Sequence, residues 1–173
     1  MLKLIAIPIN IAVFLCGFWT VTMLSVLLHE FGHAIGFMLT TGDRNWHIEV
    51  GQGKKLLDTK ALTINLIVLD GSCIPAEDKT DYTKTQRVII LSGGPIMSLL
   101  LVAGLSVLTF GGISISSEVI AAGTIRALFF AALIINSLIL LWSVIPAYGI
   151  YRGMEDVGTD VMQIIDTLRR PQE

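Results

Sequence analysis

Residues 29–33 read HEFGH, at the end of a run apolar enough to span a membrane. On a helix, His29 and His33 stand one turn apart and face the same side, so the two imidazoles can bind one metal ion. Glu30 is turned by about 100° from His29. It can reach a water held at that metal without being a ligand itself. This is the zinc-hydrolase arrangement, in which the metal lowers the pKa of its water and the glutamate shuttles the proton. The same five letters arise by chance in soluble helices as a solvated polar turn. Here that reading is weak, because a glutamate at membrane depth is expensive unless it is paired or hydrated. Residues 34–39 continue mostly apolar, so the motif is not simply a helix end among lipid headgroups. A catalytic zinc needs a third protein ligand and one open position. His47, Glu49, Asp70, Glu155, Asp156 and Asp160 are the candidates for that ligand.

The elements that must position these groups follow from hydropathy. The chain has 173 residues, is 53% hydrophobic and has a mean hydropathy of +0.74, far above an ordinary soluble domain. Residues 4–29, 88–117 and 127–151 carry no Asp, Glu, Lys or Arg. Each run exceeds the roughly 20 residues a membrane helix needs. The expected fold class is therefore an α-helical integral membrane protein with three transmembrane helices, at about 4–39, 88–111 and 120–146. At this length residues 1–173 form a single membrane-embedded domain. The first run is longer than a signal-peptide core, has no small-residue cleavage site and leads straight into HEFGH, so it is kept as a helix. Cys16 lacks the small residue that precedes a lipid-modified cysteine, and Cys16 and Cys73 suggest no disulfide. The net charge of −2 says little about partners, and nucleic acid is not among those expected.

Orientation follows from the cations. Arg44, Lys54, Lys55, Lys60, Lys79, Lys84 and Arg87 lie in the long loop, and Arg152, Arg169 and Arg170 in the tail, against Lys3 and Arg126 on the other side. Ten against two place loop and tail in the cytoplasm and the amino terminus outside. The first and third helices then end at the same face, where a carboxylate just after the third helix can approach the two histidines. Within the loop, HIEV (47–50), KKLL (54–57), LTINLIVL (62–69) and SCIP (72–75) are β-prone. GQG (51–53) and the Asp70, Gly71 pair supply turn chemistry. A small β-rich unit over about 44–76 is expected against the cytoplasmic membrane face. Thr159 can cap a tail helix at about 159–170, with Val161, Ile164, Ile165 and Leu168 forming an amphipathic stripe.

Three motifs in this order resemble the site-2 protease family of intramembrane zinc metalloproteases. HEFGH is similar to its metal-binding helix, and SGGP (92–95) to its Gly-Pro element. IPAYGIYRGMEDVGTD (145–160) resembles a divergent branch in which an Asp after a Gly-containing turn is the third zinc ligand. The resemblance covers nearly the whole chain and implies a minimal three-helix core without inserted regulatory modules. It implies one Zn²⁺ held by His29, His33 and Asp160, with Asp156 as the second choice, and Glu30 as the catalytic base. It further implies Gly94, Pro95, Ser98, Asn136 and Ser143 as support for substrate or active-site geometry. Two family asparagines thought to hold substrate or site are replaced here, by Ser98 and by Ser143, and the Gly after the ligand is Val161. Asn136 lies seven residues before Ser143 and either compensates or makes an interhelical hydrogen bond.

The expected activity is hydrolysis of peptide bonds in or near the transmembrane segments of other membrane proteins. Transmembrane protein substrates and the lipid bilayer are the expected partners, and the plasma membrane of a bacterium the expected location. The serine replacements support a second reading, a non-proteolytic relative that keeps fold and metal site and binds a partner. A metal transporter fits less well, because the second helix is almost purely aliphatic.

Overall fold

The computed structural model describes residues 2–75, 82–111, 122–151 and 154–169. In chain order the elements are α1 (Leu2–Thr41), β1 (Trp46–Asp58), β2 (Leu62–Pro75), α2 (Lys84–Phe110), α3 (Ala122–Val144), β3 (Tyr148–Tyr151), β4 (Met154–Gly158) and α4 (Asp160–Arg169). The molecule is mostly helical. Ile11–Thr41, Lys84–Phe110 and Gly123–Val144 are long and apolar enough to cross a membrane.

These helices carry apolar residues all round rather than on one stripe, the pattern of a helix whose whole surroundings are apolar. Ile9, Ile11, Val13 and Leu15 of α1 and Leu99, Leu100 and Val107 of α2 are each more than half exposed on the molecular surface. The few hydroxyls in α1 do not disturb it. Thr20, Thr22, Ser25, Thr40 and Thr41 each donate to the carbonyl four residues earlier, satisfying themselves within the helix.

The start of α2 is set by a capping box, in which Thr83 Oγ accepts from Gln86 N and the Gln86 side chain accepts from Thr83 N. Gln86 Nε2 also donates to Thr40 O at 3.0 Å, so the end of α1 and the start of α2 share one joint. From there the two helices run in backbone contact. A Cβ on Gly32 would collide with Gly93 O, and one on Gly93 with Gly32 O; Gly36 faces Ile89 O in the same way. Small residues permit this approach, and no side chain intervenes. α3 is tied to α1 by Asn136 Nδ2, which donates to Ser25 Oγ at 2.8 Å.

β1 and β2 form one antiparallel two-stranded sheet with repeated register shifts. Ile48, Glu49 and Val50 pair both with Cys73, Ser72 and Gly71 and with Leu62, Thr63 and Ile64. Gly51 and Gly53 stand at positive φ (75° and 88°), which lets the strand bend through GQG without breaking. One sequence expectation is corrected here. Asp70 and Gly71 are not a turn but part of β2, because Gly71 pairs with Val50 while its bare face packs on Val26 and Glu30. The sheet lies along α1, and Trp19 Nε1 donates to Leu66 O at 2.8 Å, 22 residues or roughly 33 Å of helix before Thr41. The physical reason is a shared core of Val26, Ala34, Ile48, Val50 and Val68, which buries the apolar face of the sheet against α1.

β3 and β4 form a second antiparallel pair, leading from α3 to α4. α4 packs on α2 and α3. Thr167 is buried, whereas Leu168, a member of the expected apolar stripe, is 60% exposed.

The α1–α2 contact makes a direct prediction. Gly93→Ala must push the helices apart and should lower stability by about 1–3 kcal/mol. Gly104→Ala, where nothing lies within 4 Å, should not destabilise. Thermal unfolding of the two variants in detergent, side by side, is the measurement.

Candidate metal centre

His29, Glu30 and His33 are 7%, 8% and 8% exposed, on the face of α1 turned toward α2 and β2. The two imidazole rings stand edge to face with centroids 5.0 Å apart. Asp160 opens α4 and joins them: its Oδ2 lies 3.3 Å from His29 Nε2 and its Oδ1 3.5 Å from His33 Nε2. The three ligand atoms lie within 4.8 Å of one another, and the group could hold a metal ion.

Asp160 arrives there through Thr159. The Thr159 hydroxyl donates to Ile145 O at 2.6 Å and its backbone N–H to Ala147 O at 2.9 Å, which binds the start of α4 to the exit of α3. The same oxygen accepts from Met162 N at 3.4 Å as a helix cap. Asp160 thereby occupies the first turn of α4, where a carboxylate is favoured by the helix dipole.

Two further observations test whether these residues suit a metal. The first concerns the far ring nitrogens. His33 Nδ1 lies 2.8 Å from Ile90 O, a carbonyl that can only accept, so Nδ1 carries a proton and, in the neutral ring, Nε2 keeps its lone pair. His29 Nδ1 lies 2.8 Å from Ser98 Oγ. The second concerns Gly94, where a Cβ would fall against the Nε2 atoms of both histidines. The space in front of the two nitrogens exists because that residue has no side chain. Two imidazole nitrogens and one carboxylate are the donor set of a catalytic zinc with an open position, and the residues present fit one.

Pro95 follows inside α2. It has no N–H to offer Leu91 O, so the turn beside the histidines lacks one ladder bond.

Glu30 faces a cavity of about 600 Å³ between β2 residues 69–73 on one side and Leu138, Ile139 and Trp142 of α3 on the other. Gly71 makes room for it, since a Cβ there would touch Glu30 Cγ and Oε1. Burial and the neighbouring Glu30 carboxylate push the Cys73 thiol up to about 12. Among the described residues, the cavity wall includes Ser143, Asp160 and Gln163 but neither Ser98 nor Asn136. Ser143 Oγ donates to Leu140 O at 2.9 Å. Asn136 is 2% exposed; besides Ser25 it donates to Ala132 O, so of its two expected roles it makes the interhelical bond.

Among the described residues, the other candidates for third ligand, His47, Glu49 and Asp70, lie outside the three-ligand group. His47 is bonded to Lys60 O and Thr63 Oγ1, and Glu49 accepts from Asn65 Nδ2, both within the sheet. Asp70 lines the cavity but accepts from Gln52 Nε2 at 2.7 Å and lies outside the three-ligand group. Glu155 and Asp156 belong to β4, and their side chains lie outside what is described. Sequence reasoning missed Gly71, assigned to a turn, and Gln163, which follows Asp160 by three residues and donates to Gly158 O at 2.8 Å. The i, i+3 spacing from Asp160 was the available signal for Gln163.

A family model described as peptidase family M50 matches residues 17–172. No curated protein matches the chain.

Gly94→Ala should abolish zinc binding while leaving the helical circular dichroism intact, because the new methyl group occupies the space before both Nε2 atoms. Metal analysis of the purified variant checks this. In a Cys16→Ser background, Cys73 should resist maleimide near pH 8 in the folded protein and react once the chain is unfolded. Its thiolate is scarce well below about 12.

Proposed function

Because the chain belongs to peptidase family M50, the site-2 protease family, we propose that it is an intramembrane zinc metalloprotease acting on transmembrane segments of other membrane proteins. The observation that carries the reading is the convergence of His29, His33 and Asp160 beside a buried glutamate, on a helix apolar enough to cross a membrane. The whole chain acts as one membrane-embedded domain. The ten-to-two cation imbalance supports a cytoplasmic loop and tail with the amino terminus outside.

His29 Nε2, His33 Nε2 and the Asp160 carboxylate would hold Zn²⁺. When bound, zinc supplies a Lewis acid that brings the pKa of a water toward 7 and polarises a carbonyl. Glu30 takes up the proton of the attacking water and hands it to the leaving amine, which requires it to stay close to the ligands without joining them. The bare face of Gly71 leaves room for the Glu30 side chain. A helical substrate hides its peptide bonds and must unwind before it can be cut. The cavity lined by residues 69–73 and α3 has a volume of about 600 Å³, and an extended segment entering it could pair with the sheet through backbone hydrogen bonds. The apolar walls of the cavity, Leu69, Leu138, Ile139 and Trp142, match the side chains of a membrane segment. Ser143 in the wall keeps a hydroxyl within reach of such a segment.

The test is co-expression with a single-span membrane protein. Cleavage should be lost on zinc chelation and reduced at least about 100-fold by Glu30→Gln. Glu30→Gln should retain zinc, whereas His29→Ala and Asp160→Ala should lose it and Asp156→Ala should not. Cleavage that persists in Glu30→Gln, or a wild-type protein that purifies free of zinc from metal-replete buffer, overturns the assignment.

A further inference from the structure

We propose that Ser98 is the positioning residue of His29: its hydroxyl oxygen accepts the Nδ1 proton and so commits Nε2 to the metal. The inference rests on the zinc reading above and deepens it: of the two roles that the family resemblance implies for this position, support of substrate or of active-site geometry, it takes the second and names the ring nitrogen that is held.

A neutral imidazole carries one N–H, and Nε2 can ligate only if that hydrogen is on Nδ1. In a buried site the Nδ1–H then needs an acceptor, which also sets the ring plane. The two histidines meet this need differently. His33 uses Ile90 O, part of the α2 backbone. His29 uses Ser98 Oγ at 2.8 Å, a side chain reaching from α2 to α1. Ser98 is 0% exposed and is not among the described residues that line the cavity, whereas its hydroxyl lies against His29.

The position also accounts for the residue type. Ser98 lies one turn after Gly94, whose missing side chain leaves room for both Nε2 atoms. One residue before Gly94, Gly93 holds α2 in backbone contact with Gly32 of α1. At so close a separation a hydroxyl one bond beyond Cβ spans the gap to Nδ1.

The experiment measures zinc affinity of the purified full chain by competition with a chromophoric chelator. Ser98→Ala should weaken zinc by about 10–100-fold. Ser25→Ala is the control: Ser25 is a similarly buried hydroxyl, one turn before His29, that accepts from Asn136 rather than from the imidazole. It should leave zinc affinity unchanged even where it lowers thermal stability, which separates ring positioning from general packing. The d–d bands of the cobalt-substituted protein should shift in Ser98→Ala and not in Ser25→Ala. If Ser98→Ala does not fold, Ser98→Cys replaces it, since a thiol fills the site but is a poor acceptor; the same loss is expected. Wild-type zinc affinity in the Ser98 variant, or an equal loss in Ser25→Ala, overturns this proposal alone. A wild-type chain that binds no zinc overturns it together with the proposed function.

Discussion

Gly32 of α1 and Gly93 of α2 bring the two helix backbones into contact, and neither tolerates a Cβ without striking the other's carbonyl. Every feature of the metal centre on α2 depends on that separation. Ile90 O reaches His33, Ser98 Oγ reaches His29, and the bare Gly94 leaves the space in front of both. In apolar surroundings the hydrophobic effect does little to press helices together, so close packing of small residues and interhelical hydrogen bonds must do it. α1 and α2 use both, with the Gln86-to-Thr40 joint at one end and the glycine contact along the middle.

The third ligand belongs to a different construction. Asp160 stands on a short helix that packs on α2 and α3 and is tied by Thr159, whose hydroxyl and backbone groups bind Ile145 and Ala147 at the exit of α3. A carboxylate held beside two imidazoles that already have Nδ1 partners is an arrangement that favours a cation. Buried polar groups otherwise raise the free energy of the fold, and here they are gathered where a divalent ion would offset that cost.

The sheet completes the site. By lying along α1 as far as Trp19, it places Gly71 against Glu30 and sets residues 69–73 as one wall of the cavity. Its exposed side chains include the apolar Leu56, Leu66 and Ile67 as well as the charged Lys54, Lys55 and Asp58. The bends that allow this course sit at Gly51 and Gly53, within the GQG that reads in sequence as a turn between strands.

What the sequence by itself determined is what local periodicity and run length encode. Residues four apart in a helix share a face, so HEFGH already places His29, His33 and Glu30 together. Runs without charge already define three helices of membrane-spanning length. The resemblance of three ordered motifs already indicated the family, and the match over residues 17–172 shows it. The tertiary structure alone decided the rest. Ser98 meets His29 across 69 residues of chain, Gly71 leaves a turn to face Glu30, and Asn136 turns to Ser25 rather than to the cavity. Such meetings depend on how closely two backbones approach and on where a strand bends. Those distances come from packing between distant segments, which no spacing along a single segment records.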